Sequence, residues 1–384
     1  MASTGFNLEE RADVVVIGGG VIGLSVARAL AQKRVGTVLI LERGQLGREA
    51  SFAAAGMLAP QAEANSDDAF FRLCCRSRDL YPTFAAHLLE ETGIDVELDR
   101  TGTLYCALNE HDHAEIDKRF AWQHRVGLSV EQLTPGEARQ LEPNLAHNLL
   151  GALKFPLDSQ VENRRLLSAL IAANEKLGVK YRANTTVESL RVERGVVAGV
   201  TTSAGFLSTR NVVCASGAWT SLIKIENAEP QIRIEPVRGQ MLCFDAKPAL
   251  ARHVIYSPRG YLVPRRDGRL LAGSTTEQAG FAKVVTTQGR ESIRSHAVEI
   301  VPGIATLPLV DSWAGLRPRA PDNLPVLGKS SETDGLFFAA GHYRNGILLA
   351  PLTGELLAGL IADNVVAEEL HTFAPDRFTA IGVN

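Results

Sequence analysis

A glycine-rich turn between an apolar strand and an amphipathic helix, near the start of the chain, constrains the fold most. The strand is DVVVI at 13–17, the turn is GGGVIG at 18–23, and a second apolar run, TVLIL, follows at 37–41. This order is typical of a βαβ unit of about thirty residues with buried parallel strands. The sequence therefore predicts a Rossmann-like α/β layer.

The turn fits the G-x-G-x-x-G pattern of a dinucleotide site. Gly18 would make the tight turn, Gly20 would let the backbone approach a pyrophosphate, and Gly23 would let the helix pack closely on the strand. The pyrophosphate would lie at the helix N-terminus, because free N–H groups and the helix dipole favour negative charge there. Glu42 ends the second strand, where a carboxylate can accept from a ribose hydroxyl. A glycine-rich turn without a ligand is the alternative.

The fingerprint alone does not distinguish NAD from FAD, but two later segments favour FAD. GREASFAAAGML at 47–58 is small and low in charge, so its backbone can pass close to a planar ring. VVCASGAW at 212–219 is an apolar strand that ends in a turn of small residues. Ordinary tight packing is the alternative explanation for both segments.

Composition and charge exclude several classes of protein. The 384 residues are 45% hydrophobic and 22% charged, which is typical of a globular protein with two domains. A net charge of -3 provides no basic surface for nucleic acid or for a membrane. The apolar C-terminal segment contains Pro351 and Glu355 and is not expected to span a bilayer. Glu9 and Glu10 stand where a secretory signal would be basic, so a cytoplasmic location is expected.

Cysteine and histidine usage predicts neither disulfides nor a metal site. The five cysteines are odd in number and include no CxxC pair, which indicates reduced thiols. Cys74 and Cys75 are adjacent, but neighbours on a helix diverge by about 100°, so we interpret them as helix residues. His111 and His113 lie in a polar run that we expect on the surface.

The remaining patterns predict helices first, an antiparallel middle, and a final strand–helix unit. Helices are predicted at 70–92, 115–127, 134–141, 163–177 and 352–361. Short strands are predicted over 179–213, strands alone over 232–275, and a last strand at 336–340. A hairpin is expected at the Asp267-Gly268 turn. The loop GHYRNG at 341–346 is left between the last two elements.

Several stretches together resemble the D-amino-acid-oxidase superfamily of flavoenzymes, and within it the glycine-oxidising group. They are the N-terminal fingerprint, AAAGM at 53–57, ASGAW at 215–219, WAGLRP at 313–318 and GHYRNGILLAP at 341–351. The last two stretches are specific for the amine-oxidising members, and the resemblance extends from about residue 13 to residue 361. It implies a mixed fold, α/β with α+β: a Rossmann-like FAD-binding domain of the glutathione-reductase type and an antiparallel-sheet substrate domain.

Domain bounds are expected from the resemblance together with the element pattern. The FAD-binding domain is predicted to be discontinuous, and the substrate domain to fill the gaps between its parts. The predicted FAD-binding segments are 10–80, 150–225 and 325–375, and the predicted substrate-domain segments are 81–149 and 226–324.

The resemblance implies four residues near the substrate. Arg317 would grip the substrate carboxylate, because a planar guanidinium binds a carboxylate through two hydrogen bonds. An arginine that bridges two domains is the alternative. Tyr261 would hydrogen-bond the same carboxylate, unless it is only a core residue. Met57 would lie close to flavin and substrate, and Arg344 near the flavin and the mouth of the site.

The resemblance also implies a set of cofactor contacts along the whole chain. Val187 would hold the adenine end through its backbone, Arg43 would act beside Glu42 at the ribose, and residues 341–346 would present N–H groups to flavin N1 and C2=O. The full predicted set is Gly18, Gly20, Gly23, Glu42, Arg43, Ser51, Ala54, Gly56, Met57, Val187, Ser216, Gly217, Gly341, Arg344, Asn345, Gly346, Ile347 and Leu348.

The chain departs from the family pattern in two places. Phe52 follows Ser51 where a second hydroxyl is common, and Arg259 stands two residues before the tyrosine, where close relatives have histidine. Arg259 is expected to add positive charge near the mouth. No cysteine follows Cys243, which excludes a thioether to flavin in the C-terminal region. His342 is a conceivable attachment point, but non-covalent FAD is expected.

The implied reaction is oxidative deamination of glycine, sarcosine and small D-amino acids. Hydride would pass from Cα to flavin N5, the product would be an imine, and molecular oxygen would be reduced to hydrogen peroxide. The imine would give keto acid and ammonia or enter thiamine thiazole synthesis. One alternative is an FAD-dependent D-amino-acid or secondary-amine dehydrogenase that uses a quinone or carrier. Another is an FAD-binding scaffold without activity. A homo-oligomer is compatible with this sequence.

Overall fold

The computed structural model describes residues 11–226 and 232–378, so the first ten residues of the N-terminal segment assessed for targeting lie outside it. Strands and helices are numbered in chain order. Six strands form the first sheet: β1 (Val14–Ile17), β2 (Val38–Leu41), β8 (Lys180–Arg182), β12 (Asn211–Cys214), β19 (Val326–Lys329) and β20 (Leu336–Ala340). Their order is β19-β20-β12-β1-β2-β8. All neighbours are parallel except β19 and β20.

Eight strands form the second sheet, in the order β18-β14-β17-β16-β15-β4-β6-β5. They are β4 (Thr103–Ala107), β5 (Glu131–Leu133), β6 (Gly151–Phe155), β14 (Glu235–Asp245), β15 (Val254–Ser257), β16 (Gly260–Pro264), β17 (Arg269–Gly273) and β18 (Leu309–Arg319). Its pairs are antiparallel except β15 with β4. The predicted hairpin is present between β16 and β17.

Smaller sheets and the helices complete the described chain. The strands are β3 (Met57–Leu58) with β7 (Ser159–Gln160), and β9 (Val187–Glu193), β10 (Val196–Thr202), β11 (Gly205–Ser208) and β13 (Lys224–Ile225). The helices are α1 (Val21–Gln32), α2 (Ala50–Ala53), α3 (Pro60–Glu63), α4 (Ala69–Thr92), α5 (Glu110–Arg125), α6 (Pro135–Leu141), α7 (Asn163–Lys176), α8 (Thr287–Ile300), α9 (Gly346–Asp363) and α10 (Glu368–Phe373). Short 3₁₀ helices lie at Gly217–Leu222, Pro302–Thr306 and Pro375–Phe378.

The predicted N-terminal βαβ unit is confirmed, and Gly23 is the residue that allows its packing. Every residue of β1 and β2 is buried, as expected for strands with both faces covered. A Cβ at Gly23 would lie 1.9 Å from the Gly18 carbonyl oxygen, so only glycine lets α1 approach the strand end this closely.

Helix α9 begins at Gly346, not at Leu352 as predicted. Side chains of α4 replace the hydrogen bond that Pro351 cannot make within α9. Pro351 has no N–H to donate to the carbonyl of Ile347. The buried Tyr81 hydroxyl donates to that carbonyl instead, and the Ser77 hydroxyl donates to Leu348 O at 2.6 Å. The helix therefore continues through Pro351.

The same helix, Gly346–Asp363, is long and apolar enough to cross a membrane by length and composition alone. However, 67% of that 18-residue window is buried inside the protein, where α1 and α4 pack against it. It is a core helix that packs with the six-stranded sheet.

Helix α5 begins at Glu110, five residues before the predicted start. The Asn109 side chain caps it by accepting from the N–H of Asp112 at 2.9 Å. His111 and His113 therefore lie in its first turn, where His111 is exposed and His113 is partly exposed. Helix α6 begins where it was predicted, with Thr134 and Glu137 forming a reciprocal capping box.

Two predicted domain bounds fall inside continuous structure. Helix α4 runs unbroken past residue 81, and Tyr81 and Leu88 both belong to the core under the six-stranded sheet. Strand β6 at Gly151–Phe155 pairs with β4 in the eight-stranded sheet, although residues from 150 were assigned to the FAD-binding domain. We propose placing the first bound at the end of α4 and the second at the end of β6.

Candidate functional site

A cavity of about 720 Å³ lies at the carboxyl ends of the parallel strands. Residues within two positions of the ends of β1, β2, β12 and β20 line it, and residues of β14, β16 and β18 in the eight-stranded sheet also line it. Open parallel sheets bind ligands at this edge, where the connections leave in different directions. A volume of this size suits an extended organic ligand.

Most of the predicted site residues line this cavity. They are Gly18, Gly20, Glu42, Arg43, Ser51, Ala54, Gly56, Met57, Val187, Ser216, Gly217, Tyr261, Arg317, Arg344, Asn345, Gly346 and Ile347. Gly23, Gly341 and Leu348 do not line it. Gly23 packs α1 on β1, as predicted. The other two are corrections: Gly341 faces Ala320 and Val326 with a φ of +69°, and Leu348 lies in the core.

Glu42 holds the glycine-rich turn in place. Its carboxylate accepts from the N–H of Gly19 at 2.8 Å and from the N–H of Gly44 at 2.9 Å. A carboxylate has about four acceptor positions, so two remain for a ligand hydroxyl. The side chain is 8% exposed and borders the cavity.

Ser51 closes the N-terminus of α1. Its hydroxyl oxygen accepts from the N–H of Val21 at 3.0 Å, which leaves the hydroxyl hydrogen available to donate into the cavity. Phe52, the first departure from the family pattern, does not line the cavity. Its ring lies between the guanidinium groups of Arg48 and Arg164, 4.7 and 4.0 Å from its centroid.

The loop before α9 brings a helix N-terminus to the cavity. Asn345, Gly346 and Ile347 line the wall at the start of this eighteen-residue helix, where unpaired N–H groups favour negative charge. His342 also borders the cavity, but it is 3% exposed and its Nε2 lies 3.1 Å from the Thr353 hydroxyl. Burial lowers the pKa of His342 to about 3, so this imidazole is neutral.

Arg317 presents a guanidinium to the cavity with neutral partners only. Its Nη1 donates to the carbonyl of Thr275 at 3.0 Å and its Nη2 donates to the Ser274 hydroxyl at 2.6 Å. A Cβ at Gly239 would lie 2.3 Å from the guanidinium, so glycine makes room for it. Within the described residues, no carboxylate forms an ion pair with Arg317. Arg319, two residues on, pairs with Glu235 instead.

Tyr261 lines the same cavity as Arg317, and its hydroxyl has a weak partner. Its hydroxyl is 3.3 Å from the sulfur of Met241, which also lines the cavity. A thioether is a poor acceptor, so a ligand carboxylate could replace it. The Tyr261 ring stacks on Tyr256 with centroids 6.2 Å apart, which fixes its orientation.

Arg344 is held by two partners on the cavity wall. Its Nη2 lies 3.3 Å from Glu63 Oε1 and 3.2 Å from the Tyr256 hydroxyl. The Glu63 carboxylate raises the pKa of Arg344 above its usual value. Sequence reasoning missed Glu63, because nothing local marks a glutamate at the end of the four-residue helix α3.

Arg259, the second departure, does not add charge to the cavity. Its guanidinium donates to Asp112 Oδ2 at 3.0 Å and to Glu299 Oε2 at 3.0 Å, and it does not line the cavity. The expectation of a positive charge near the mouth was therefore wrong, because Asp112 at the start of α5 neutralises this arginine.

Arg265 positions the AAAGM loop and was also missed. It is 7% exposed and donates to Ala55 O at 2.7 Å and to Val161 O at 3.1 Å. Its other partners are the side-chain oxygens of Gln160 and Asn163. Burial lowers its pKa to about 10. The loop it fixes includes Gly56, whose φ of +74° requires glycine.

A ring of side chains surrounds Arg43, Glu49 and Trp219, which line the cavity. The Arg43 guanidinium lies 3.8 Å from the Trp219 ring centroid, and its Nη2 donates to Glu49 at 2.8 Å. Trp219 stacks on Phe281 at 5.7 Å, and the Lys283 ammonium lies 2.8 Å from Glu49. The ring therefore joins the end of β2 to the loop between β17 and α8.

The cysteines take no part in the site. All five are free, and none of them lines the cavity. Cys74 and Cys75 are helix residues of α4, as predicted. Burial raises the pKa of Cys106 and of Cys214 to about 12, so these thiols are protonated. The described residues contain no group of three or more potential metal ligands.

The residues at the turn fit a dinucleotide. Gly20 lines the cavity at the N-terminus of α1. Because it has no side chain, its backbone borders the cavity directly, and the nearest atom to a Cβ built there is the Ser51 hydroxyl at 3.2 Å. Small residues continue this surface at Ala54 and Gly217. The free N–H groups and the glycine backbone would hold the pyrophosphate, and the Glu42 carboxylate would accept from a ribose hydroxyl.

Known proteins are similar to this chain in sequence and in fold. The profile of the DAO family, described as FAD dependent oxidoreductase, matches residues 13–360. Glycine oxidase of Geobacillus kaustophilus (strain HTA426) is 37% identical over 373 residues, covering 96% of this chain and 98% of that protein. The crystal structure of glycine oxidase from Geobacillus kaustophilus has a TM-score of 0.91 and covers 96% of this chain and 99% of that one.

Two further matches extend the comparison. The bifunctional protein ThiO/ThiG of Synechocystis sp. (strain ATCC 27184 / PCC 6803 / Kazusa) is 36% identical over 378 residues, which are 97% of this chain and 55% of that protein. L-proline dehydrogenase from P. horikoshii is 25% identical with a TM-score of 0.86, covering 98% of this chain and all of that one. The resemblance and the fold class predicted from the sequence are confirmed. This chain belongs to the DAO family of FAD-dependent oxidoreductases and is a glycine oxidase-like flavoenzyme.

Proposed function

We propose that this enzyme oxidises glycine, sarcosine and small D-amino acids with non-covalently bound FAD and molecular oxygen. The observation that carries the proposal is the guanidinium of Arg317, which faces the cavity with only neutral partners at 3.0 and 2.6 Å. An arginine without a counter-ion, beside the Tyr261 hydroxyl, is suited to bind the carboxylate of an amino acid through two hydrogen bonds.

Each wall of the cavity has a separate role in the proposed reaction. Bound FAD would supply the two-electron acceptor for the Cα–H bond of the substrate. Arg317 and Tyr261 would hold the carboxylate and so fix which face of Cα is presented. The N-terminus of α9 would favour negative charge at the flavin end of the cavity. Met57 and Met241 would exclude water from the reacting atoms.

No residue is assigned as a general base. His342 is neutral and buried, with its Nε2 near Thr353, and Glu63 is paired with Arg344. A substrate that binds with a neutral amine needs no proton acceptor from the chain. The imine product would be hydrolysed by water to the keto acid and ammonia (methylamine from sarcosine), or enter thiamine thiazole synthesis. The thiamine role is proposed on the family resemblance alone.

The non-covalent cofactor is proposed from the lining of the cavity. Cysteine is absent from the described lining residues, and His342 lies within hydrogen-bond distance of another side chain. We also propose a cytoplasmic enzyme that forms a homo-oligomer. Denaturation in acid should release all the flavin into the supernatant, and light scattering should give the mass of the assembly.

An FAD-dependent dehydrogenase is the second candidate, because the fold is shared with L-proline dehydrogenase from P. horikoshii. The two functions differ in the electron acceptor. The purified yellow protein should be mixed with glycine, sarcosine, D-alanine and D-proline without oxygen, and its absorbance followed. Loss of the yellow colour, followed on aeration by stoichiometric peroxide, is the result expected for the oxidase. Loss of colour without oxygen uptake would support the dehydrogenase, and no loss of colour with any substrate would reject both.

A further inference from the structure

Arg317 and Arg344 both line the cavity, but they differ in how their charge is compensated. Arg317 has the carbonyl of Thr275 and the hydroxyl of Ser274 as partners, so its charge is not compensated. Arg344 has the Glu63 carboxylate 3.3 Å away, so its charge is compensated within the wall. Arg344 also reaches the Tyr256 hydroxyl, and Tyr256 stacks on Tyr261, so this ion pair is connected through Tyr256 to the tyrosine predicted to bind the carboxylate.

Glu63 is positioned by a buried framework. It ends α3, and the preceding N–H groups of Gln61 and Ala62 donate to the fully buried carboxylate of Asp158 at 3.4 and 3.2 Å. The Gln61 amide donates to Gln123 at 2.9 Å, and Arg119 donates to the carbonyl of Ala64. Contacts on both sides of Glu63 therefore fix the backbone that carries it.

This arrangement has a consequence for substrates. An amino acid with one carboxylate needs only Arg317, and its small remainder meets a wall with no net charge. A second carboxylate would meet the negative charge of Glu63, and Arg344 would have no free charge to offer it. Like charges in a partly desolvated site are strongly disfavoured, and such a repulsive group discriminates between partners as well as an attractive one does.

We propose that Glu63 determines the charge specificity of this site by compensating Arg344 and excluding amino acids with a second carboxylate. This inference rests on the proposed function, because it assumes that Arg317 binds the first carboxylate. It makes Glu63 a specificity-determining residue, and it predicts that a neutral residue at this position would convert Arg344 into a second carboxylate site.

The test compares a monocarboxylic and a dicarboxylic substrate in the FAD-loaded enzyme. For glycine and iminodiacetate, kcat/KM is measured in the wild type, Glu63→Gln, Glu63→Asp and the double variant Glu63→Gln/Arg344→Gln. In Glu63→Gln the ratio of iminodiacetate to glycine should rise about tenfold or more. Glu63→Asp keeps the charge and should stay within about threefold of the wild-type ratio. The double variant should lose the gain, because it has no cation to bind the second carboxylate.

A binding measurement separates this inference from the proposed function. Malonate and acetate are titrated into the oxidised enzyme, and the shift of the flavin absorbance gives Kd for each. Glu63→Gln should tighten malonate relative to acetate by about tenfold. Glu299→Gln, which removes a glutamate that pairs with Arg259 outside the cavity, is the matched control and should change neither ratio.

Two outcomes are decisive. If Glu63→Gln improves neither iminodiacetate turnover nor malonate binding, Glu63 does not set the charge specificity, whatever the enzyme does with glycine. If the wild type does not oxidise glycine or sarcosine but malonate still tightens in Glu63→Gln, the proposed function fails while the role of Glu63 stands.

Discussion

The Lys283 ammonium lies 2.8 Å from the carboxylate of Glu49, a residue 234 positions earlier in the chain. Glu49 borders the cavity, whereas Lys283 belongs to the loop between β17 and α8. Phe281 from the same loop stacks on Trp219, another cavity residue. The loop is thus attached at two points to residues that line the cavity, and both of them contact Arg43, which we expect at the ribose of FAD.

Replacing Lys283 by Met should speed the release of FAD. The pair is partly exposed, and such pairs stabilise by about 0.2–1 kcal/mol, so we expect dissociation about two to five times faster. The rise of FAD fluorescence after dilution measures this rate. Lys247→Met is the control, since Lys247 is an exposed lysine 3.9 Å from Asp245 and lies away from the cavity. Equal rates for both variants and the wild type would show that the attachment does not retain FAD.

Replacing Arg317 by Ala should remove substrate binding but keep the flavin. Truncating a charged partner of a desolvated carboxylate costs about 2–5 kcal/mol, so kcat/KM for every amino acid should fall about thirtyfold or more, mainly through KM. Arg319→Ala is the matched control, because Arg319 lies on the same strand and pairs with Glu235 outside the cavity. Steady-state kinetics with glycine and D-alanine measure the effect. An unchanged KM in Arg317→Ala would reject its role as carboxylate anchor.

Replacing Arg265 by Met should destabilise the protein and loosen the AAAGM loop. Four buried oxygens, including the carbonyls of Ala55 and Val161, would lose their donor. Each unsatisfied buried acceptor costs about 1–3 kcal/mol, so we expect a loss of at least about 2 kcal/mol in the free energy of unfolding. Urea unfolding measures it. Arg266→Met, next along the chain and exposed, removes a surface pair with Asp95 and should cost about 1 kcal/mol or less. Similar losses in both variants would contradict the role assigned to Arg265.

Replacing His342 by Gln should reduce the acid sensitivity of the fold. Burial lowers the pKa of His342 from 6.5 to about 3, so as the pH falls below 6.5 the unfolded chain binds a proton that the folded chain does not. Stability is therefore lost as the pH decreases from about 6.5 towards about 3. Between pH 7.5 and 5.5 this histidine should contribute about 1.4 kcal/mol of the loss.

The measurement for His342 is urea unfolding at both pH values with the same FAD concentration. His342→Gln should lose about 1.4 kcal/mol less than the wild type over this interval. The exposed His87 is the matched control, and His87→Gln should follow the wild type. An identical pH dependence in all three proteins would mean that His342 gains its proton over the same pH range in the folded and the unfolded chain, which would contradict the prediction.

The sequence predicted those parts of the fold whose signals are local. The turn at Gly18–Gly23 lies between β1 and α1, and β2, which pairs with β1, follows within thirty residues. The Asp267-Gly268 turn joins two strands that are adjacent in the chain and in the sheet. Cavity-lining residues such as Arg317 and Tyr261 were found because they lie in short stretches that resemble a known family.

The parts that the sequence did not reveal depend on contacts between distant residues. Arg259 was predicted at the mouth, but its partner Asp112 lies 147 positions away. Arg344 and Glu63 are separated by 281 positions, so no local pattern could have indicated their pairing. The early start of α9 depends on a hydroxyl from Tyr81, 266 positions before the carbonyl that it satisfies. Packing between distant elements decides such features, and local propensity does not.

The order of strands in the six-stranded sheet also bears on biosynthesis. Strand β1 emerges from the ribosome early, but its neighbour β12 and then β20 follow much later in the chain. The N-terminus of α9 is translated after nearly all other walls of the cavity. A nascent chain that ends before Gly346 therefore lacks the flavin end of the site. The complete site for FAD therefore forms only after nearly the whole chain has been synthesised.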